Sequence, residues 1–270
     1  MENKLVLSIE ELGFCLMLCG YEEIAAGLIK PTLGEKKDKI WEAIFETASH
    51  GLLSKGLWNV SRQKKGDIPL NEEWISFFNT YVHSKKMFRL TKNENDDLEI
   101  LMFHQISEYE WIAHRVIHHI CHEFSIVNQS EIFNEINHFY GITQLDKNKT
   151  EKIHISKKDF KQMVLLTEKG NIEENTFESI FKHTKNKQLI QSFLYSLKSG
   201  KRRFPDNLSV SYIPSLQEYP TILDVVFILK EEKQLWVISQ FDQYEGEPIY
   251  LMLPTMEDWK KIILQRIEAN

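Results

Sequence analysis

Apolar positions recur at helical spacing through the first sixty residues. Ser8-Ile9-Glu10-Glu11 has the form of a capping box, in which a serine and a glutamate three residues on satisfy each other's free backbone donors. Leu12, Cys15, Leu16 and Cys19 follow on one helical face. A break at Gly20-Tyr21 leads to a short helix through Ile24 and Leu28 that Pro31 stops. A third helix begins near Glu35, carries Trp41, Ile44, Phe45, Ala48 and Leu52 on one face, and ends at Gly56. The stretch from Asn59 to Pro69 is polar and basic, with a turn at Gly66-Asp67.

The pattern then shortens to that of strands. Met87 to Leu90 and Leu98 to His104 read as strands about a polar turn at Asn93–Asp97, and Asn128-Gln129-Ser130-Glu131 opens a helix through Ile132, Phe133, Ile136 and Phe139. Residues 144–152 are polar and form the best linker. The order then repeats. Ser156 opens a helix with Phe160 and Met163, a second runs from Phe177 to Leu197, and a basic stretch follows at Lys201–Pro205. Strands at Leu208–Ile213, Leu223–Leu229, Leu235–Phe241 and Ile249–Leu253 precede a last helix from Thr255.

An offset of 125 lays Leu98–Phe103 on Leu223–Ile228, Trp111 on Trp236, Phe124 on Ile249, Ile126 on Leu251 and Ser130 on Thr255. The helix openers Ser8 and Ser156 sit 148 apart, so the first copy is longer by about 23 residues, part of it in the basic segment 59–75. The expected fold class is α+β. Two halves, 1–145 and 153–270, each have helices, a three-strand antiparallel set and a closing helix, related by a pseudo-twofold axis and fused into one compact body. Residues 108–124 also show a clean helical stripe. Their counterpart contains Gly246 and Pro248, which a helix would not tolerate, so strand–turn–strand is the reading adopted.

Composition narrows the function. With 33 Lys+Arg against 39 Asp+Glu the net charge is −6, so a nucleic-acid binder would have to concentrate its positive charge locally. The first helices and the basic turn resemble a winged helix. Residues 1–60, however, hold six Lys, no Arg and nine acids, and the third helix turns Glu42 and Glu46 outward, a face that repels phosphate. The start of the chain lacks the signature of a secretory leader, and no apolar run reaches the roughly 18 residues of a membrane span. Cys15, Cys19 and Cys121 read as small core residues of a reducing cytoplasm.

Half of the ten histidines fall within nineteen residues: His104, His114, His118, His119 and His122. On a helix, His114, His118 and His122 would stand one turn apart and could grip zinc, with Glu123 as base. As strands, they line a polar sheet face or a turn. No His-Glu-x-x-His, Gly-x-Ser-x-Gly or phosphate-cradling glycine loop is present. No catalytic, cofactor or metal residue is therefore assigned, and no cofactor is expected.

The architecture of two related α+β halves, with the opening LSIEELGFCLMLCGYEEIAAGLI and the Leu52-Leu53-x-x-Gly56-Leu57 end of the third helix, resembles the EspG family. These are cytosolic chaperones of type VII (ESX) secretion systems. The Lys-rich, Arg-poor basic usage suits an AT-rich Gram-positive bacterium. The resemblance implies a non-enzymatic, cytoplasmic binding protein that keeps the apolar tip of a secreted helical hairpin soluble, without membrane insertion. Candidate docking surfaces are the sheet face that helices leave uncovered and the loops between strands, such as Asp242–Pro248 with Tyr244, which also read as plain solvent-exposed connections, and no partner-binding residue is assigned. The alternatives are a winged-helix transcription regulator and a metal-dependent enzyme using the histidine cluster.

Overall fold

In the computed structural model Ser8 closes a four-residue strand and opens the first helix in one step. Its Oγ accepts from Glu11 N (3.2 Å), its own N–H donates to Glu11 Oε2 (2.7 Å), and the capping box is complete. The structure describes residues 4–94, 97–168, 186–199, 206–213, 221–240 and 249–268. In chain order these form β1 (Leu5–Ser8), α1 (Ile9–Leu18), α2 (Glu22–Leu33), α3 (Asp38–Ser54), α4 (Val60–Lys65), α5 (Glu72–Val82), β2 (Lys86–Glu94), β3 (Asp97–Gln105), β4 (Glu110–Ile117), β5 (Cys121–Asn128) and α6 (Gln129–Tyr140). The order continues with β6 (Glu151–Ile155), α7 (Lys157–Glu168), α8 (Lys187–Ser199), β7 (Asp206–Tyr212), β8 (Thr221–Glu231), β9 (Gln234–Gln240), β10 (Ile249–Leu253) and α9 (Met256–Glu268). The fold is α+β, helices packed on antiparallel sheet.

Two compact units emerge. Unit 1 takes Met1–Phe88, Asp97–Gln129 and Tyr212–Thr221, and unit 2 takes Arg89–Asp96, Ser130–Ser211 and Ile222–Asn270. The strands of the first copy lie in the order β1-β5-β4-β3-β2, and those of the second in the order β6-β10-β9-β8-β7. The repeat therefore extends to topology, with five strands in each copy rather than three. Short β1 and β6, unrecognised in the hydropathy pattern, form the outer members. Each precedes a serine-capped helix, for Ser156 Oγ also accepts from Asp159 N (3.1 Å).

The register corrects the single offset of 125. His104 pairs with Ile112 and Leu229 with Trp236, so Ile112, not Trp111, is the counterpart of Trp236. His114 pairs with Phe124 and Ile238 with Leu251, which moves the counterpart of Phe124 from Ile249 to Leu251. Leu5 pairs with Phe124 and Ile153 with Leu251, extending the same rung to the outer strands. Hairpins of unequal length cause the drift, and a shift of one residue exchanges the faces of a strand. The closing helices agree with the corrected frame: Ile132, Ile136 and Tyr140 are buried on α6, as are Trp259, Ile263 and Ile267 on α9.

Other local expectations change. Pro31 lies inside α2, in its last turn, where an exposed helix end tolerates the lost backbone donor. The basic stretch after Asn59 is helical: Asn59 Oδ1 accepts from Arg62 N (3.1 Å), and Gly66, at φ 79°, ends α4 in the left-handed region. Residues 110–128 are two strands, not a helix, joined by a turn in which His118 and His119 have φ 49° and 61°. Among the described residues no helix is long and apolar enough to cross a membrane.

In unit 1, α1, α3 and α5 cover one sheet face over a core that includes Leu7, Leu12, Cys15, Leu52, Phe78 and Phe124. In unit 2, α7 and α8 cover the corresponding face over Met163, Ile190, Phe193, Trp236, Ile238 and Leu251. The opposite sheet faces are not exposed, contrary to expectation. Phe88, Phe103 and Trp111 are fully buried, and Val226, Ile228 and Val237 nearly so.

Candidate functional site

Four aromatic rings form a continuous ladder on the helical layer of unit 1. Trp41 stacks on Phe45 (centroids 5.7 Å, planes 18° apart), Phe45 on Phe14 (5.1 Å, 17°) and Phe14 on Trp58 (6.0 Å, 21°). The rings come from α3, α1 and the segment after α3, and all four residues remain half-buried. Trp41 and Phe45 are one helical turn apart, which places them on the same stripe of α3. Trp58 is held by its backbone bridge to Leu70 and by donation from Nε1 to Gln63 Oε1 (3.1 Å).

An open groove of about 530 Å³ runs between the start of α1 and the length of α3 from Ile40 to Gly51, with Glu10 and Ile44 among its walls. Ile40 is 47% exposed. Glu11 anchors this corner. Its carboxylate takes the Ser8 N–H, pairs with Lys55 and lies against Gly51, where a side chain would collide with it. The end of α3 thus stands on an ion pair whose carboxylate is buried and whose ammonium is about a third exposed.

Beneath the helices lies a second feature. His104, His114 and His122 are buried on the helix-facing side of β3, β4 and β5. His114 Nε2 and His122 Nδ1 are 2.8 Å apart, His114 Nδ1 is 3.1 Å from the Tyr81 hydroxyl, and His104 Nδ1 is 3.3 Å from Ser84 Oγ. His114 also stacks on Phe124 (4.2 Å, 18°), and Tyr81 covers His104 at 4.5 Å. The remaining Nε2 atoms of His104 and His122 are buried without a hydrogen-bond partner. Burial pulls His104 down to about 3 and His122 to about 4, although the nearby Glu10 charge works the other way on His122. Desolvation also holds His114 well below its ordinary value, reinforced by the neighbouring imidazoles of His122 and His104. All three rings are neutral at pH 7, and burial likewise keeps the Tyr81 phenol protonated.

The zinc arrangement drawn from helical spacing is not formed. His118 sits in the β4–β5 turn beside Asp97 (2.9 Å), 69% exposed, while His114 and His122 point into the core. His119, beside it in the turn, is exposed. Among the described residues no group of three His, Cys, Asp or Glu is placed to hold a metal ion. Cys15 belongs to the core, where burial raises its thiol, and Cys19 at the end of α1 is pushed up to about 11 for the same reason. Glu42 and Glu46 are exposed on α3 as expected. The loop Asp242–Pro248, including Tyr244, lies outside the described residues.

Sequence reasoning found Trp41, Phe45 and the histidines but not the ladder or the network. Phe14 and Trp58 stack through tertiary contact alone. The network did have a signal, since His104, Ile112, His114, His122, Phe124 and Ile126 alternate onto one face once three adjacent strands are assumed.

Comparison with known proteins places the chain in a family. It is 20% identical over 260 residues to "Uncharacterized protein YfjC" of Bacillus subtilis (strain 168), an alignment covering 95% of this chain and 96% of that protein. The family model described as "Uncharacterised protein YfjC" matches residues 4–248, and the chain belongs to the YfjC family.

Proposed function

We propose that the protein is a non-enzymatic cytosolic chaperone or adaptor of the EspG kind, holding an apolar helix face of a secreted helical-hairpin protein before type VII export. The ring ladder carries this reading. Its steps of 5.7, 5.1 and 6.0 Å lie close to the 5.4 Å rise of one helical turn. A partner helix laid along it meets one ring per turn with residues spaced three or four apart, the usual way an amphipathic helix engages an apolar surface. Half-buried aromatic side chains suit that task, because their two side-chain torsions are already fixed by stacking and little entropy is lost on binding. The topological repeat agrees with the two-half architecture that the EspG resemblance implies.

Affinity capture from the native host with the intact chain and with a Trp41→Ser/Phe45→Ser variant tests this. The intact chain retains a small helical secreted protein. The double variant keeps its circular dichroism and loses that partner by at least tenfold. Recovery of DNA or transcription machinery, stoichiometric zinc in untagged protein, or equal retention by the variant overturns the proposal.

A further inference from the structure

The two units differ where they are otherwise most alike. At the cross-strand pairs His104–Ile112, His114–Phe124 and His122–Val116, unit 1 buries three imidazoles, whereas the matching pairs of unit 2 are Leu229–Trp236, Ile238–Leu251 and Ile249–Gln240. We infer that the imidazoles are an acid release built into unit 1: protonating His104, His114 and His122 loosens α5 and α1 from the sheet, while unit 2 stays closed.

The hydrogen-bond geometry supplies the mechanism. In the neutral network one nitrogen of the 2.8 Å His114–His122 contact donates and the other accepts. When both rings are cationic, two N–H groups face each other across that gap and two charges share a core in which the buried carboxylate, Glu11, is already paired with Lys55. The groups around them offer little relief. From α5 comes the neutral Tyr81, from the segment after it the Ser84 hydroxyl, from β1 Leu7, and from β3 Met102 opposite His114. Glu10 on α1 is the acid whose charge reaches His122, and it lies at the groove rather than in the network. The escape is for α5, which carries Tyr81, and α1 to lift and admit water.

The sign follows from proton binding. Histidines lowered in the folded unit bind fewer protons there than in the opened form, so stability is full above the ordinary histidine range near pH 6.5 and falls as pH drops toward about 4 and 3. Each histidine kept neutral raises the opening constant by up to about tenfold per pH unit, and three together by up to about a thousandfold. The response sets in below pH 6.5 and is steepest near pH 5, midway between the opened and folded values, and its upper part, from pH 6.5 to 5.5, lies above the range in which ordinary carboxylates titrate. This inference does not depend on the partner proposed above.

Hydrogen exchange by mass spectrometry at pH 7.0 and 5.5, corrected for intrinsic rates, tests it on the full chain. Peptides from α1, α5 and β3–β5 are expected to lose protection by at least tenfold, and peptides from α8, β9 and β10 to keep theirs. The His104→Leu/His114→Ile/His122→Ile variant, which gives unit 1 the side chains of unit 2, should lose that difference. Equal acid sensitivity of the two units, or an unchanged loss in the variant, overturns the inference. If the variant fails to fold, imidazole NMR titration of the wild-type chain decides. Folded-state values below 5 for His114 and His122 sustain the inference, and values near 6.5 overturn it.

Discussion

Unit 1 and unit 2 share a strand order, serine-capped helices after the outer strands, and a helical layer on the matching sheet face, yet their cores differ in chemistry. Unit 2 fills its helix-facing rungs with Trp236, Ile238, Leu251 and Phe227, tied by Trp236 Nε1 donating to Ser196 Oγ (3.2 Å). Unit 1 places imidazoles in that layer and leaves two ring nitrogens unpartnered, each at a cost of about 1–3 kcal/mol. The same topology thus accepts a dry core or a polar one. The difference teaches that strand order is set by alternation and hairpin geometry, while the identity of the inward residues is left free for other demands.

Substitution at matched positions sharpens that contrast. The largest effect is expected from Trp236→Ala, which removes a fully buried ring and its hydrogen bond and should destabilise unit 2 by about 3–5 kcal/mol. Ile112→Ala at the equivalent rung of unit 1 should cost about 2–4 kcal/mol. Urea denaturation followed by unit-specific hydrogen exchange separates the two, and a larger loss at Ile112 would reverse the ranking of the cores. Next comes Lys55→Met, which strands the Glu11 carboxylate on its Ser8 contact. Because Lys55 is about a third exposed, the expected cost is about 1–3 kcal/mol rather than that of a fully buried pair, measured by thermal denaturation at low and high salt. The smallest pair concerns the caps. Ser8→Ala, at a capping box with nearly buried Glu11, should cost about 1–2 kcal/mol, and Ser156→Ala, at an exposed cap with Asp159, about 0.5–1 kcal/mol. Equal losses would mean that burial adds nothing to the cap.

Much of this architecture was legible from periodicity and punctuation. Gly246 and Pro248, seen through the repeat, turned residues 108–124 from an apparent helix into strand–turn–strand, and the structure has β4 and β5 there. Ser8 and Ser156 marked their helices to the residue. What escaped was short or relational. β1 and β6 have four and five residues, too few for alternation to stand out, and they gain their meaning by pairing with β5 and β10. Helix α4 hid in a basic stretch although Asn59 and Gly66 are ordinary capping signals. The register between copies drifted because unequal hairpins do not preserve an offset. The histidines were conspicuous, but grouping them one helical turn apart selected His118, which the β4–β5 turn carries into solvent, and left out His104.

The composition of the two units also bears on how the protein is made. Tyr212 and Ile213 belong with unit 1, where Ile213 N–H donates to Lys85 O (2.8 Å), although most of that unit ends at Gln129. At roughly 5–20 residues per second, the last segment leaves the ribosome on the order of ten seconds after β5. The helix α6 emerges with the first half, yet its Asn137 accepts from Trp259, near the end of the chain. Neither unit can be completed in order of synthesis, so a fragment cut at residues 144–150, ahead of β6, is not a smaller version of the protein. The nascent chain must carry unfinished apolar surfaces until α9 has emerged.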